Sequence, residues 1–487
     1  MNIRQFLQHY GIMENPFADE EASTDPVFKG FGIDHAYHPA WDKIFGTPAE
    51  PATSVVFGEK GSGKTAMRLQ MVRKLSQYNS EHPDRRIFII PYDDFNPFID
   101  RFREKQPFWR KKIEKALHEW KVWDHIDAIL SLGVTQLVDR ILQVEHVSYP
   151  AVPGREELPV EKLEASQKRD LLLLAMLYDQ SNVENRFDRW KKLAKKLKFR
   201  CWPSWLPLVG GGIWSVATAY LWFRYFSHVG WWGGLAVLAG WLPWVWNFSR
   251  AWWRMWKLRK GMRTLEHSPR PLRQILQTVP GRELADQPMP WVENSDARYE
   301  WLSKFQAVLK TLGFSGIFVL VDRVDEPYQI NGVPQRMRDF AWSLLDNKLL
   351  KHPGIGFKLL LPGELYAFVL RETDEFRQRA RLDKQNTISS FQWTGQSLYD
   401  LANTRIAGCV PSNEEGKIPE LEDFFEPGVS REFLVNSLQS IAVPRRLFKF
   451  LYQVIVNHTN MHTENAPVWQ ISQATFLSTL ADFQKNQ

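Results

Sequence analysis

Four short apolar runs punctuate the chain. They are Val55-Val56-Phe57, Ile87-Phe88-Ile89-Ile90, Ile317-Phe318-Val319-Leu320-Val321 and Phe357-Lys358-Leu359-Leu360-Leu361. None shows the polar alternation of a half-wetted strand, so each reads as a strand buried on both faces of a parallel sheet. Between them the apolar spacing is helical. A helix follows the first run over residues 66–78, and apolar positions recur at Ile99, Phe102, Trp109, Ile113, Ala116, Leu117 and Trp120. One helix is predicted over 170–198, carrying Leu171 to Leu174, and another over 297–312. A helical tail starts at Thr394 with Leu398, Leu401 and Ile406 on one face. Strands alternating with helices predict an α/β fold with a parallel sheet. Residues 149–161 and 268–294, rich in proline and polar side chains, read as a loop and a return linker.

The segment 202–256 breaks this rhythm. It holds twelve of the 22 tryptophans. Residues 205–223 and 229–246 carry no charge, and each is about as long as the roughly 20 residues a membrane-crossing helix needs. The connector Arg224-Tyr225-Phe226-Ser227-His228 is short, which predicts an antiparallel hairpin. Tryptophans 202, 205, 222, 231, 232, 244 and 246 bracket both stretches, as interfacial tryptophans do. Basic clusters lie on both sides, from Lys191 to Arg200 and at Arg250, Arg254, Lys257, Arg259, Lys260 and Arg263. They predict a two-pass hairpin at about 205–246 in the cytoplasmic membrane, with the remainder and both termini in the cytoplasm, and contact with anionic lipid headgroups.

The run Gly58-Glu59-Lys60-Gly61-Ser62-Gly63-Lys64-Thr65 satisfies G-x-x-x-x-G-K-[ST] directly after an apolar strand and before a helix that opens at Ala66. Glycines let successive N–H groups converge on a phosphate, Lys64 supplies a point charge to the β- and γ-phosphates, and the Thr65 hydroxyl suits Mg²⁺. The helix N-terminus adds its positive end. ATP and Mg²⁺ are the expected ligands. The second metal-binding group is Asp322, which ends the third apolar run. Asp325 and Glu326 follow within a turn, with Glu326 favoured as general base. Arg377, Arg379 and Arg381 after the fourth strand, or Arg445 and Arg446 in the tail, are candidates to meet the γ-phosphate, within one chain or across a homo-oligomer.

Composition narrows the class. At 487 residues the chain exceeds one hydrophobic core. Its mean hydropathy is negative, which excludes a polytopic transporter. A net charge of +7 suits a phosphate-bearing partner, and the hairpin flanks account for it without nucleic acid. Cys201 and Cys409 are too few and too far apart for a disulfide framework or a zinc site. Residues 1–6 lack the apolar core of a signal peptide, so a reducing, cytosol-facing setting is expected.

These motifs carry a resemblance. About 250 residues separate the phosphate loop from Val319-Leu320-Val321-Asp322-Arg323-Val324-Asp325-Glu326, far more than a nucleotide-binding core needs. The order of loop, hairpin and metal carboxylate resembles the KAP-type P-loop ATPases, relatives of the STAND and AAA-like enzymes. That resemblance implies a membrane-anchored ATPase switching an attached complex, in phage defence or signalling, with an unidentified protein partner. Pro444-Arg445-Arg446 resembles the arginine motif of an AAA-like helical lid, and Asn15-Pro16-Phe17 with Asp25-Pro26 resembles the start of some bacterial AAA ATPases. Arg323 stands where such relatives often have a second acid, which implies slow turnover unless Glu326 substitutes. The division is then a lead-in over 1–50, core over 51–96, helical insertion over 97–296, core again over 297–393 and lid over 394–487. A nucleotide-binding membrane scaffold and an origin-recognition-like or motor ATPase acting on nucleic acid are the rival readings.

Overall fold

The computed structural model describes residues 1–144, 157–200, 206–225, 232–285, 287–384, 386–411 and 418–485. Its centre is one parallel sheet in the order β2-β3-β4-β1-β5. The strands are β1 (Ser54–Gly58), β2 (Arg86–Tyr92), β3 (Phe314–Val321), β4 (Ile355–Pro362) and β5 (Thr387–Ile388). The first four coincide with the four apolar runs. β5 is too short to leave a pattern; it covers the edge of β1 by pairing with Val55 and Val56.

Period-two alternation divides the side chains between two cores. Val56, Ile87, Ile89, Phe318, Leu320 and Leu360 face the helix Lys64–Glu81, packing on Met67, Met71 and Leu75. Val55, Phe57, Phe88, Ile90, Val319 and Leu359 face the helical insertion. Lys358 is the charged residue inside β4. Its ammonium donates to the carbonyls of Ile44, Phe45 and Ala52 at 2.7, 2.9 and 2.7 Å, and burial lowers its pKa to about 7.

Within the insertion, helix Val122–Leu142 lies on β2, and Ala165–Tyr178 and Asp296–Thr311 pack beside it. Buried ion pairs tie them together. Asp127 meets Arg298 at 3.3 Å with both side chains fully buried, and Asp124 meets Arg263 at 2.6 Å. Arg189 meets Asp179 and Asp139 at 2.6 Å each. Such pairs specify a partner more than they add stability, since desolvation offsets most of their attraction.

Several expectations change. The helix predicted over 170–198 is two, Ala165–Tyr178 and Arg186–Lys196. Asp179 breaks it, with extended backbone, a carbonyl that accepts from Arg186 and a carboxylate held by Arg189. The linker predicted over 268–294 instead contains helices Pro269–Thr278 and Gly281–Ala285, with Leu272, Ile275 and Leu276 buried. Trp109 is exposed in a short turn, because Pro107 ends the preceding helical pattern. Of the loop at 149–161, residues 149–156 lie outside the described residues, while Val160–Lys162 forms a single tight turn.

The tryptophan-rich segment forms helices Leu206–Tyr225, Trp232–Ala239 and Leu242–Gly261. Among the described residues no helix is long and apolar enough to cross a membrane, and this overturns the two-pass cytoplasmic-membrane localisation. The first helix has the length, but Trp214, Ser215, Thr218, Tyr220 and Trp222 dilute its hydropathy. The second uncharged stretch is not one helix. It turns at Gly240-Trp241, and Pro243 opens a new helix that runs on into Arg250, Arg254, Lys257, Arg259 and Lys260. A Cβ at Gly240 would lie 1.8 Å from the Trp214 ring, so glycine permits this crossing. Trp214 Nε1 donates to the Ala236 carbonyl and Trp241 Nε1 to the Ser215 hydroxyl, both at 2.9 Å. Trp202, Trp205, Trp231 and most of the connector lie outside the described residues.

The lead-in and the tail share one core. Phe6, Leu7, Ile12 and Phe17 pack among Leu398, Tyr399, Leu447 and Phe450. Buried Arg405 clasps the Asp25 carboxylate and the Pro16 carbonyl.

Candidate nucleotide site

The C-terminal edge of the sheet opens into a cleft of about 650 Å³. Open parallel sheets bind ligands at this edge, where strands feed into helix N-termini. The loop after β1 turns with positive φ at Gly61 (87°) and Gly63 (96°), backbone that only glycine adopts without strain. At Gly61 a Cβ would also approach the Arg445 Cβ to 2.6 Å. Lys64 Nζ donates to the carbonyls of Gly58 (2.6 Å) and Glu59 (2.9 Å). Burial lowers the Lys64 pKa, while Asp322, Asp325 and Glu364 act against that shift. Ser62 is fully buried beneath the turn, and its carbonyl accepts from Trp393 Nε1 at 2.9 Å.

Asp322 comes to the loop despite a separation of 257 positions, and Thr65 Oγ1 donates to its Oδ2 at 2.9 Å. The two strands are not neighbours, because β4 lies between β1 and β3. The first turn of the helix Lys64–Glu81 closes that gap. Arg68, one turn on from Lys64, holds Asp322 at 3.3 Å and Asp93 at 2.9 Å. Asp322 is 1% exposed.

Asp325 and Glu326 line the cleft with Lys60, Thr65 and Ala66. Arg323 takes φ of +61° and points its guanidinium at Glu326, 3.6 Å away. Burial raises the Glu326 pKa, and Arg323 opposes that shift. The Asp325 charge is among those that favour the charged form of Lys64. Arg445 closes the other side: its N–H donates to the Gly61 carbonyl at 3.2 Å. Its guanidinium lies 3.8 Å from Glu20 and 3.9 Å from Glu21. Arg446 reaches Glu59 at 4.0 Å.

Arg377, Arg379 and Arg381 do not line the cleft. Arg377 pairs with Asp374, and Arg379 lies over the Phe376 ring at 5.7 Å. Arg381 follows that short helix in left-handed backbone.

Sequence reasoning missed Arg68, Asp93, Glu364, Glu20 and Glu21. Asp93 and Glu364 stood within reach, since each follows an apolar strand as Asp322 does. Arg68 falls three positions after Thr65, on the same helix face. Nothing local marks Glu20 and Glu21. Among the described residues no group of three or more His, Cys, Asp or Glu could hold a metal. A Mg²⁺ held by one hydroxyl, one carboxylate, phosphate oxygens and water requires no such group. No family model, curated protein or solved structure matches the chain.

Proposed function

We propose that the chain binds Mg²⁺-ATP in the cleft between the phosphate loop and the tail, and hydrolyses it to switch an attached complex. The contact of Thr65 with Asp322 carries this reading. A loop able to cradle phosphates and an acid able to share Mg²⁺ lie at hydrogen-bond distance, although they are far apart in sequence. Thr65 Oγ1 and Asp322 would hold the ion, whose role is to neutralise charge on the phosphates. Lys64 would exchange its carbonyl partners for phosphate oxygens. Asp325 or Glu326, which both line the cleft, would orient the attacking water; burial raises the Glu326 pKa, the direction that favours a base. Arg445 would meet the γ-phosphate on leaving Glu20 and Glu21, so that tail and nucleotide move together. The KAP-type reading rests on the order and separation of loop and carboxylate alone, since no membrane-crossing hairpin is found between them among the described residues, and the homo-oligomer on the habit of such arginines to act between subunits.

One observation favours a second reading, a nucleotide-gated scaffold with little turnover. Arg323 follows Asp322 directly and engages Glu326. ATP hydrolysis and ATP binding by the full chain, by Asp325→Asn and by Glu326→Gln separate the two. Loss of hydrolysis with binding intact in one variant supports the enzyme and names its base. Bound ATP without turnover in the unaltered chain supports the scaffold. A chain that binds no ATP overturns both.

A further inference from the structure

A second cleft, of about 740 Å³, lies at the root of the tryptophan-rich arm. Trp244, Asn247, Ala251 and Arg254 line it at successive helical turns along one face of Leu242–Gly261, with Arg250 beside them. Phe199 and Arg200, beyond the helix Arg186–Lys196, form a second wall, and Arg282 stands on a third. Four arginines therefore border one space, Arg254 half-buried and Arg200, Arg250 and Arg282 exposed at its rim.

Among the described residues that line it, Glu283 is the one carboxylate, and it faces Arg169 at 3.7 Å. No ion pair is formed by Arg200, Arg250, Arg254 or Arg282 with any described carboxylate within 4.0 Å. Other cations nearby are engaged. Lys257 lies over the Trp253 ring at 3.9 Å, Lys260 over Trp256 at 5.6 Å, and Arg263 is held by Asp124. Arg250 and Arg254 instead line the cleft. Burial and the neighbouring Arg250 together lower the pKa of Arg254, so these like charges repel when nothing lies between them.

Guanidinium forks bind phosphate bidentately, and crowding them in a cleft is favourable once an anion enters. The volume suits a small ligand. Trp244 and Phe199 add flat apolar surface. We infer that this cleft binds a multiply phosphorylated ligand, its phosphates on Arg200, Arg250, Arg254 and Arg282. Free polyphosphate compounds and phosphorylated lipid headgroups share that chemistry.

The test uses the full chain carrying Lys64→Ala, which removes the main phosphate contact of the loop. Inorganic tripolyphosphate is titrated by calorimetry. In parallel, the chain is co-sedimented with phosphatidylcholine vesicles, with and without phosphatidylinositol bisphosphate. Uptake of tripolyphosphate assigns the cleft to free phosphates; retention on the bisphosphate vesicles alone assigns it to headgroups. In whichever arm binds, Arg250→Gln and Arg254→Gln each weaken binding about tenfold, as loss of a charge-assisted contact does. Arg282→Gln, on a separate element, weakens it as well. With Lys64 in place, Arg250→Gln leaves ATP turnover unchanged, which sets this site apart from the phosphate loop. Absence of binding in both arms, or binding that survives the Arg250→Gln, Arg254→Gln pair, overturns the assignment.

Discussion

The glycine-rich loop after β1 and the tryptophan-rich arm both join glycine-bearing turns to helices, yet they treat their side chains in opposite ways. At the loop Lys64 is engaged by carbonyls, Thr65 and Arg68 by Asp322, and the Ser62 carbonyl by Trp393. In the arm, Ile213, Val216 and Phe223 are exposed by 67, 72 and 73%. Support explains the contrast. The loop stands on a buried sheet and is roofed by the tail. The arm is held at its root, where Arg298 donates to the Gly261 carbonyl at 2.5 Å and Arg263 is bound to Asp124. A preorganised site needs neighbours on several sides, and the arm has them at one end.

Arg298→Ala breaks this comparison most severely. It leaves Asp127 buried and unpaired, and about 3–5 kcal/mol of stability should be lost in urea unfolding. A loss under about 1 kcal/mol would mean that other contacts hold the root. Lys64→Ala acts on the other region: hydrolysis should fall about 10²–10³-fold, the scale of removing one strong transition-state contact. Its unfolding midpoint should hardly move. Undiminished hydrolysis would refute the enzymatic reading.

A pH experiment probes the packing of the insertion on the sheet. His125 is fully buried, accepts from the Tyr92 hydroxyl and donates to the Phe340 carbonyl, and burial lowers its pKa to about 3. The folded chain thus refuses a proton that the unfolded chain accepts below about 6.5. Stability contributed by the neutral ring is present above that pH and is lost on acidification towards 3, by up to about 1.4 kcal/mol per pH unit. Asp124, with its pKa raised to about 6 by burial, acts in the opposite sense between 3.8 and 6. The slope in His125→Gln, subtracted from that of the unaltered chain, isolates the histidine. Equal slopes would show that His125 is protonated alike in both states. The smallest effect belongs to the arm: Ile213→Ser or Val216→Ser should shift stability by about 0.5 kcal/mol or less, because both side chains are exposed. A larger cost would mean that another surface covers them.

Much of the core was legible. Val55-Val56-Phe57 and its counterparts are apolar, Lys358 excepted, because both faces of the sheet are covered, and turn signals bound each run at strand length. The loop was legible because glycine is required where φ is positive. The arm misled, since absence of charge resembles lipid solubility while tryptophan and tyrosine are only weakly apolar by hydropathy. Asp179 split a helix through its bonds to Arg186 and Arg189, contacts that apolar periodicity does not register.

By itself the sequence determined the first four strands, the glycine-rich loop after β1 and the acid that follows β3, each set by local chemistry over a few residues. Tertiary structure alone decided that β4 lies between β1 and β3, that Arg445 and not Arg381 reaches the loop, and that four arginines share a cleft. Those outcomes depend on which distant surfaces bury one another, and that is settled by the packing of the whole chain.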